Sequence, residues 1–229
     1  MNIERIPIGI RGLDAMIENG LEKGSITLIT GESGTGKTTI GLQFIYAGLL
    51  KNEGGIYVTF DESSESIRKS ALNYGWNLKD FEDRKMLKII DISTKDTHDI
   101  KVVEYAKILE GINELSAKRV VIDSINSIIT LIDKMPDQKI AMIELCDLLR
   151  EKKCTSLLIS DESQNISNTI GPLVDGIIAL YNKVSGGDTR FRSLEVIKMR
   201  RTDHHKKRTW FKITRNGIQV DYKEYPIVW

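Results

Sequence analysis

The sequence predicts an α/β fold in which a mostly parallel central sheet is flanked by helices and ends in an antiparallel β-meander. Three observations carry that expectation. Apolar, β-branched runs alternate with helical patterns through most of the chain, and repeated strand–helix units imply a parallel sheet with helices on both faces. A glycine-rich motif, Gly31-Glu-Ser-Gly-Thr-Gly-Lys-Thr38, falls where a strand gives way to a helix. From Gly176 onward short strands follow one another across polar turns.

The elements follow in order. Ser25–Thr30 reads as a buried strand and Lys37–Leu50 as the helix after the glycine-rich turn. Gly55–Phe60 is a second strand. Ser63–Tyr74 is a helix opened by serines that can cap free N–H groups and closed by Gly75. Met86–Ile92 is a strand, and Thr97–Ser116 a long amphipathic helix with Val102, Val103, Ala106, Leu109 and Ile112 on one stripe. Strand Arg119–Asp123, helix Gln138–Lys152 and strand Ser156–Ser160 complete the alternation. Ile177–Tyr181, Phe191–Arg200, Thr209–Thr214 and Ile218–Tyr222 form the meander, and Asn216-Gly217 signals a type I′ hairpin between the last two. No repeat, low-complexity tract or linker breaks the pattern, which predicts one domain over residues 1–229.

Lysine plus arginine number 33 against 32 acids, so the chain as a whole is no trap for polyanions. Cys146 and Cys154 match no zinc or redox spacing and read as buried thiols in a reducing compartment. The first twenty residues include Arg5, Asp14 and Glu18 and hold no long apolar run, so no signal peptide is expected. Nor does any apolar run reach the roughly 18 residues a membrane helix needs. The expectation is a soluble, cytoplasmic protein without a membrane partner.

The motif fits G-x-x-x-x-G-K-[ST], which by composition would arise by chance in roughly one chain in a hundred of this length. Its position between strand and helix is the one its chemistry needs. Glycines let backbone N–H groups turn inward around phosphates, and the helix dipole favours negative charge there. Gly31, Glu32, Ser33, Gly34, Thr35, Gly36, Lys37, Thr38 and Thr39 are therefore the candidate ATP-binding set. Lys37 is placed to reach the β- and γ-phosphates, and the Thr38 hydroxyl to bind Mg²⁺. Val120-Val-Ile-Asp123 is an apolar strand ending in a carboxylate, the arrangement that fixes an acid beside Mg²⁺, here through a metal-bound water. Asp61 and Glu62 close the second strand. Ligands gather at the carboxyl ends of parallel strands, so one of these acids can orient or deprotonate the attacking water; as helix-start acids they would serve only the dipole. GTP fits less well, because neither Asp123-Ser-Ile-Asn126 nor Asn182-Lys-Val-Ser185 matches the motifs of Ras-type GTPases.

With these residues in place the chain resembles a KaiC-type member of the RecA superfamily over nearly its whole length. Pro7-Ile-Gly-Ile-Arg-Gly-Leu-Asp14 and Asn19-Gly-Leu-Glu-Lys-Gly24 are similar to the segment before the phosphate loop in that family. Tyr57-Val-Thr-Phe-Asp-Glu62 resembles its strand bearing paired acids, and Lys198-Met-Arg-Arg-Thr-Asp-His204 its Lys-Leu-Arg-Gly-Thr-x-His segment. The resemblance implies a RecA-like P-loop fold and a homo-oligomeric ring, often a hexamer, with ATP at subunit interfaces. It also implies that Lys198 and Arg200 reach the γ-phosphate of a neighbouring subunit, with Thr202 and His204 as weaker candidates for the same interface.

Departures qualify that picture. The family usually has two glutamates where this chain has Asp61 and Glu62, and a catalytic group misplaced by an ångström costs on the order of a hundredfold. Arg201 stands where glycine is frequent, and Arg215 where an acid can lie near the nucleobase. The expected function is an ATP-binding, slowly Mg²⁺-dependent ATP-hydrolysing regulatory protein that acts on an unidentified partner protein. One alternative is a DNA-dependent, RecA- or RadA-like recombination accessory ATPase. Its support is the basic run Arg200–Arg208, and against it the loop Asp161–Val174 contains no Lys or Arg. The other is a nucleotide-gated scaffold with negligible hydrolysis. Trp76, Trp210 and Trp229 read as packing residues, and the apolar end Tyr225–Trp229 as a packed tail.

Overall fold

The computed structural model describes residues 3–92, 100–130, 132, 134–161, 169–184 and 190–222. A short antiparallel pair, β1 (Arg5–Ile6) and β2 (Leu21–Glu22), brackets helix α1 (Arg11–Met16). Then come β3 (Ile26–Gly31), α2 (Lys37–Leu49), β4 (Gly55–Thr59), α3 (Ser64–Leu72), α4 (Leu78–Asp83) and β5 (Leu87–Asp91). The next group is α5 (Ile100–Leu115), β6 (Arg119–Asp123), α6 (Ile125–Thr130), α7 (Met135–Glu151) and β7 (Thr155–Asp161). The chain finishes in β8 (Gly176–Val184), β9 (Arg190–Met199), β10 (Thr209–Thr214) and β11 (Gly217–Val220).

Nine strands form one sheet in the order β11-β10-β9-β8-β3-β7-β6-β4-β5. β5, β4, β6, β7, β3 and β8 are parallel, whereas β9, β10 and β11 pair antiparallel, as the change of pattern at Gly176 predicts. β3 is fully buried, the condition under which a strand reads as a near-continuous apolar run. On one face Leu42, Phe44 and Ile45 of α2 pack with Ile29, Val121, Leu157 and Leu180. On the other, Ile108 and Ile112 of α5 and Met142, Leu145 and Leu149 of α7 pack on Leu28, Val58, Ile122 and Leu158. Cys146 and Cys154 are buried free thiols, and Trp76 is buried against Tyr46 and Tyr74. Trp210 departs from the packing expectation: it is exposed beside Phe191, with ring centroids 5.4 Å apart.

Ser63 caps α3 by accepting from the Ser66 N–H, the role its position predicts. The hairpin between β10 and β11 corrects the type I′ expectation. Thr214 pairs with Gly217, so the loop residues are Arg215 and Asn216. Neither has the positive φ that a type I′ turn requires. Gly217 alone is left-handed, at φ +93°, and a Cβ there would lie 2.5 Å from Gln43 Oε1 and 2.7 Å from the Trp76 ring. The glycine thus serves a close approach to α2 as well as the turn. The sequence helices begin elsewhere than expected in one further case, since α7 starts at Met135 with Pro136 in its first turn. The start of the expected Thr97–Ser116 helix and the tail Tyr225–Trp229 lie outside the described residues. Among those residues no helix is long and apolar enough to cross a membrane.

Candidate active site

The parallel strands end along one rim. Gly31 of β3 is level with Asp161 of β7, and Asp123 of β6 is level with Thr59 of β4. Between β3 and α2 the chain turns through Gly34 and Gly36, both left-handed; Gly36, at φ +106°, is the N-cap of α2 and offers no side chain to its first turn. The free N–H groups and the helix dipole therefore face the rim, an arrangement that attracts anions. A cavity of about 400 Å³ opens there. Ser33, Gly34, Gly36, Lys37, Thr38, Thr39, Asp61, Glu62 and Asp123 line it, so most of the residues singled out in sequence come together. Glu32 and Thr35 join through the loop backbone, where the Thr35 hydroxyl donates to the Glu32 carbonyl at 2.8 Å.

Lys37 is nearly buried, and its ammonium donates to the carbonyls of Gly31 at 2.7 Å and Glu32 at 3.0 Å. It also pairs with Asp161 Oδ1 at 2.9 Å. The Thr38 hydroxyl donates to Asp123 Oδ2 at 2.8 Å. Tyr57, on the neighbouring strand β4, donates to the same oxygen at 2.7 Å. Burial pushes the Asp123 carboxyl above its ordinary value, against the opposing pull of those two donors.

The two acids at the end of β4 differ in their tethers. Asp61 accepts from the Ser124 hydroxyl at 3.1 Å and the Ser127 hydroxyl at 2.8 Å, one on each carboxylate oxygen. Glu62 accepts from the Ser66 hydroxyl at 2.6 Å through Oε2. Among the described residues no donor reaches Glu62 Oε1, so this side chain keeps an acceptor for a further group.

Lys198, Arg200, Thr202 and His204 stand apart from this cavity. Met199 is level with Gly176, and Gly176 with Thr27 at the start of β3. Four residues along a strand span roughly 13 Å, so these residues occupy the opposite end of the sheet from Gly31. Lys198 donates to the carbonyls of Gly171 and Val174, both at 2.7 Å, and Arg200, one residue past β9, donates to Pro172 O at 3.2 Å. Thr202 accepts from Arg5 at 2.6 Å. His204 lines a separate cavity with Asp203, Lys206 and Tyr222. Arg201 is left-handed at φ +54°, a conformation that glycine adopts without steric cost.

A family model described as ATPase: KaiC matches residues 6–225. The chain belongs to the KaiC ATPase family. A UPF0273 protein of Methanopyrus kandleri is 35% identical over 241 residues, covering 96% of this chain and 93% of its own length. The circadian clock oscillator protein KaiC of Parasynechococcus marenigrum is 32% identical over 236 residues, with 96% of this chain matching 45% of that protein. The crystal structure of a KaiC-like protein from Pyrococcus horikoshii superposes with a TM-score of 0.87 at 30% identity, over 98% of this chain and 100% of that one. The RecA-like P-loop fold expected from sequence is the fold observed.

Two residues of this KaiC-family site escape a motif search. Asp161 ends β7 as Asp123 ends β6, and that shared strand-end position is the one signal that could have found it. Tyr57 carries no signal, because an aromatic inside an apolar strand reads as core.

Proposed function

We propose that this KaiC-family chain binds ATP with Mg²⁺ at the head of α2 and hydrolyses it slowly within a ring of like subunits. The observation that carries this reading is the convergence of Lys37, Thr38 and Asp123 beneath an uncapped helix start. In this reading Lys37 holds the β- and γ-phosphates, and the first-turn N–H groups of α2 hold the rest of the phosphate chain. Hard oxygen donors suit Mg²⁺: the Thr38 hydroxyl would hold it directly and Asp123 through its water. When bound, the metal supplies charge neutralisation across the β- and γ-phosphate oxygens.

We assign the water-orienting role to Glu62 rather than Asp61. Both oxygens of Asp61 are already engaged by serine hydroxyls, whereas Glu62 keeps Oε1. The far-end position of Lys198 and Arg200 supports their acting on the nucleotide of a neighbouring subunit, where a cation can offset transition-state charge. Coupling of the cycle to a partner protein completes the proposal, with residues 1–229 acting as one domain.

The test measures ATP hydrolysis with Mg²⁺, with and without single-stranded DNA, alongside particle size with and without ATP. Wild type is compared with Lys37→Ala, Glu62→Gln and Arg200→Ala. DNA-independent turnover by an ATP-dependent oligomer, lost in all three variants, is expected. Strong stimulation by DNA, or ATP binding without turnover, would overturn the hydrolytic regulatory reading.

A further inference from the structure

Tyr57 is buried, 1% exposed, in the layer between the sheet and α2. Gly41 of α2 lies over its ring, since a Cβ at that glycine would stand 3.4 Å from Tyr57 Cε2. A phenylalanine would fill this space equally well. What the tyrosine adds is a hydroxyl, and its partner is Asp123 Oδ2 at 2.7 Å. A buried hydroxyl without a partner is costly, and a buried carboxylate needs donors to stay charged. Each group thus meets the other's requirement.

The geometry of the pair has a direction. Thr38 and Tyr57 both donate to Oδ2, from helix α2 and strand β4 respectively. Among the described residues no donor falls on Oδ1. Two donors from different elements restrain the carboxylate through one oxygen and leave Oδ1 as its spare acceptor. The Thr38 hydroxyl keeps lone pairs for a metal while its hydrogen points at Asp123, so both tethers are compatible with a bound cation.

We propose that Tyr57 is a positioning residue for metal binding, its hydroxyl setting the direction in which Asp123 presents Oδ1 to the hydration shell of Mg²⁺. This rests on the reading of Asp123 as the acid beside the metal. Partners that orient a metal-site acid typically contribute 10–100-fold in affinity. Tyr57→Phe removes one such partner while keeping the ring.

The experiment titrates MgCl₂ into the full chain with a fluorescent ATP analogue and reads nucleotide affinity with and without metal. For Tyr57→Phe the Mg²⁺ midpoint is expected to rise about tenfold, with metal-free nucleotide affinity unchanged. In an Asp123→Asn background Tyr57→Phe is expected to add nothing further, because the two act through one contact. A purely structural role would lower metal-free affinity as well and would add in the double variant; either result overturns the proposal. An unchanged midpoint in Tyr57→Phe, with a shifted one in Asp123→Asn, overturns the role of Tyr57 alone. An unchanged midpoint in Asp123→Asn overturns the reading of Asp123 and the role of Tyr57 together.

Discussion

Lys37 holds Asp161 at 2.9 Å across the mouth of the phosphate cavity, so a carboxylate occupies the lysine's attention where a phosphate is proposed to sit. Asp161 is 61% exposed in its side chain while Lys37 is only 10% exposed, so solvent screens the pair from the Asp161 side and weakens it. Asp161→Asn is therefore expected to tighten metal-free ATP binding by no more than about fivefold, measured by equilibrium titration; looser binding would show that Asp161 helps to hold the nucleotide. A second residue predicts a pH effect. Asp14 accepts from the N–H groups of Ile8 and Gly9, and burial pushes its carboxyl up to about 6 from an ordinary 3.8. The folded state then holds the proton more tightly than the unfolded chain, so this group's contribution to stability is complete below pH 4 and is lost as pH rises through 6. Relative to Asp14→Asn, wild type is expected to lose about 2 kcal/mol between pH 4 and 7, read by urea unfolding at both pH values. An equal pH response in the two proteins would mean that Asp14 is not held protonated. The sequence disclosed Asp14 as a charge near the N-terminus and as part of a family resemblance; its burial depends on how residues 7–14 fold back, which spacing does not reveal.

Elements whose own chemistry is local were legible, and those fixed by distant neighbours were not. The strand Arg119–Asp123 and the helix starting at Lys37 fall where apolar pattern and motif put them. The β10–β11 turn did not, because its conformation is decided by Gln43 and Trp76, some 140 to 175 positions away in sequence. Gln43 accepts from the Ile218 N–H at 2.8 Å through the oxygen a Cβ on Gly217 would strike. Gly217→Ala combines a left-handed φ with that clash and is expected to lower stability by about 1–3 kcal/mol. Asn216→Ala changes neither, so thermal melting of the two variants should differ; equal effects would contradict the packing account. The site divides in the same manner. Lys37, Thr38 and Asp123 follow from a local motif, whereas the distinction between Asp61 and Glu62 needed the serines on α3 and α6 that tether them.

The whole molecule sets the phosphate cavity and the Lys198–Arg200 segment at opposite ends of one sheet. If those cations serve a neighbour's nucleotide, Lys37→Ala and Arg200→Ala are each inactive alone but complement on mixing. A site pairing an intact Lys37 with an intact neighbouring Arg200 arises at about a quarter of head-to-tail interfaces in an equal mixture. Recovery of roughly that share of wild-type turnover is expected; none at all would place Arg200 within its own subunit's site. The same separation has an arithmetic consequence. Head-to-tail subunits in an open string leave one cavity unserved, whereas closure serves every cavity. A lone chain would then own two half-sites and no whole one. Turnover per chain would fall away steeply on dilution, and closing the circle would be the step that switches on the last site.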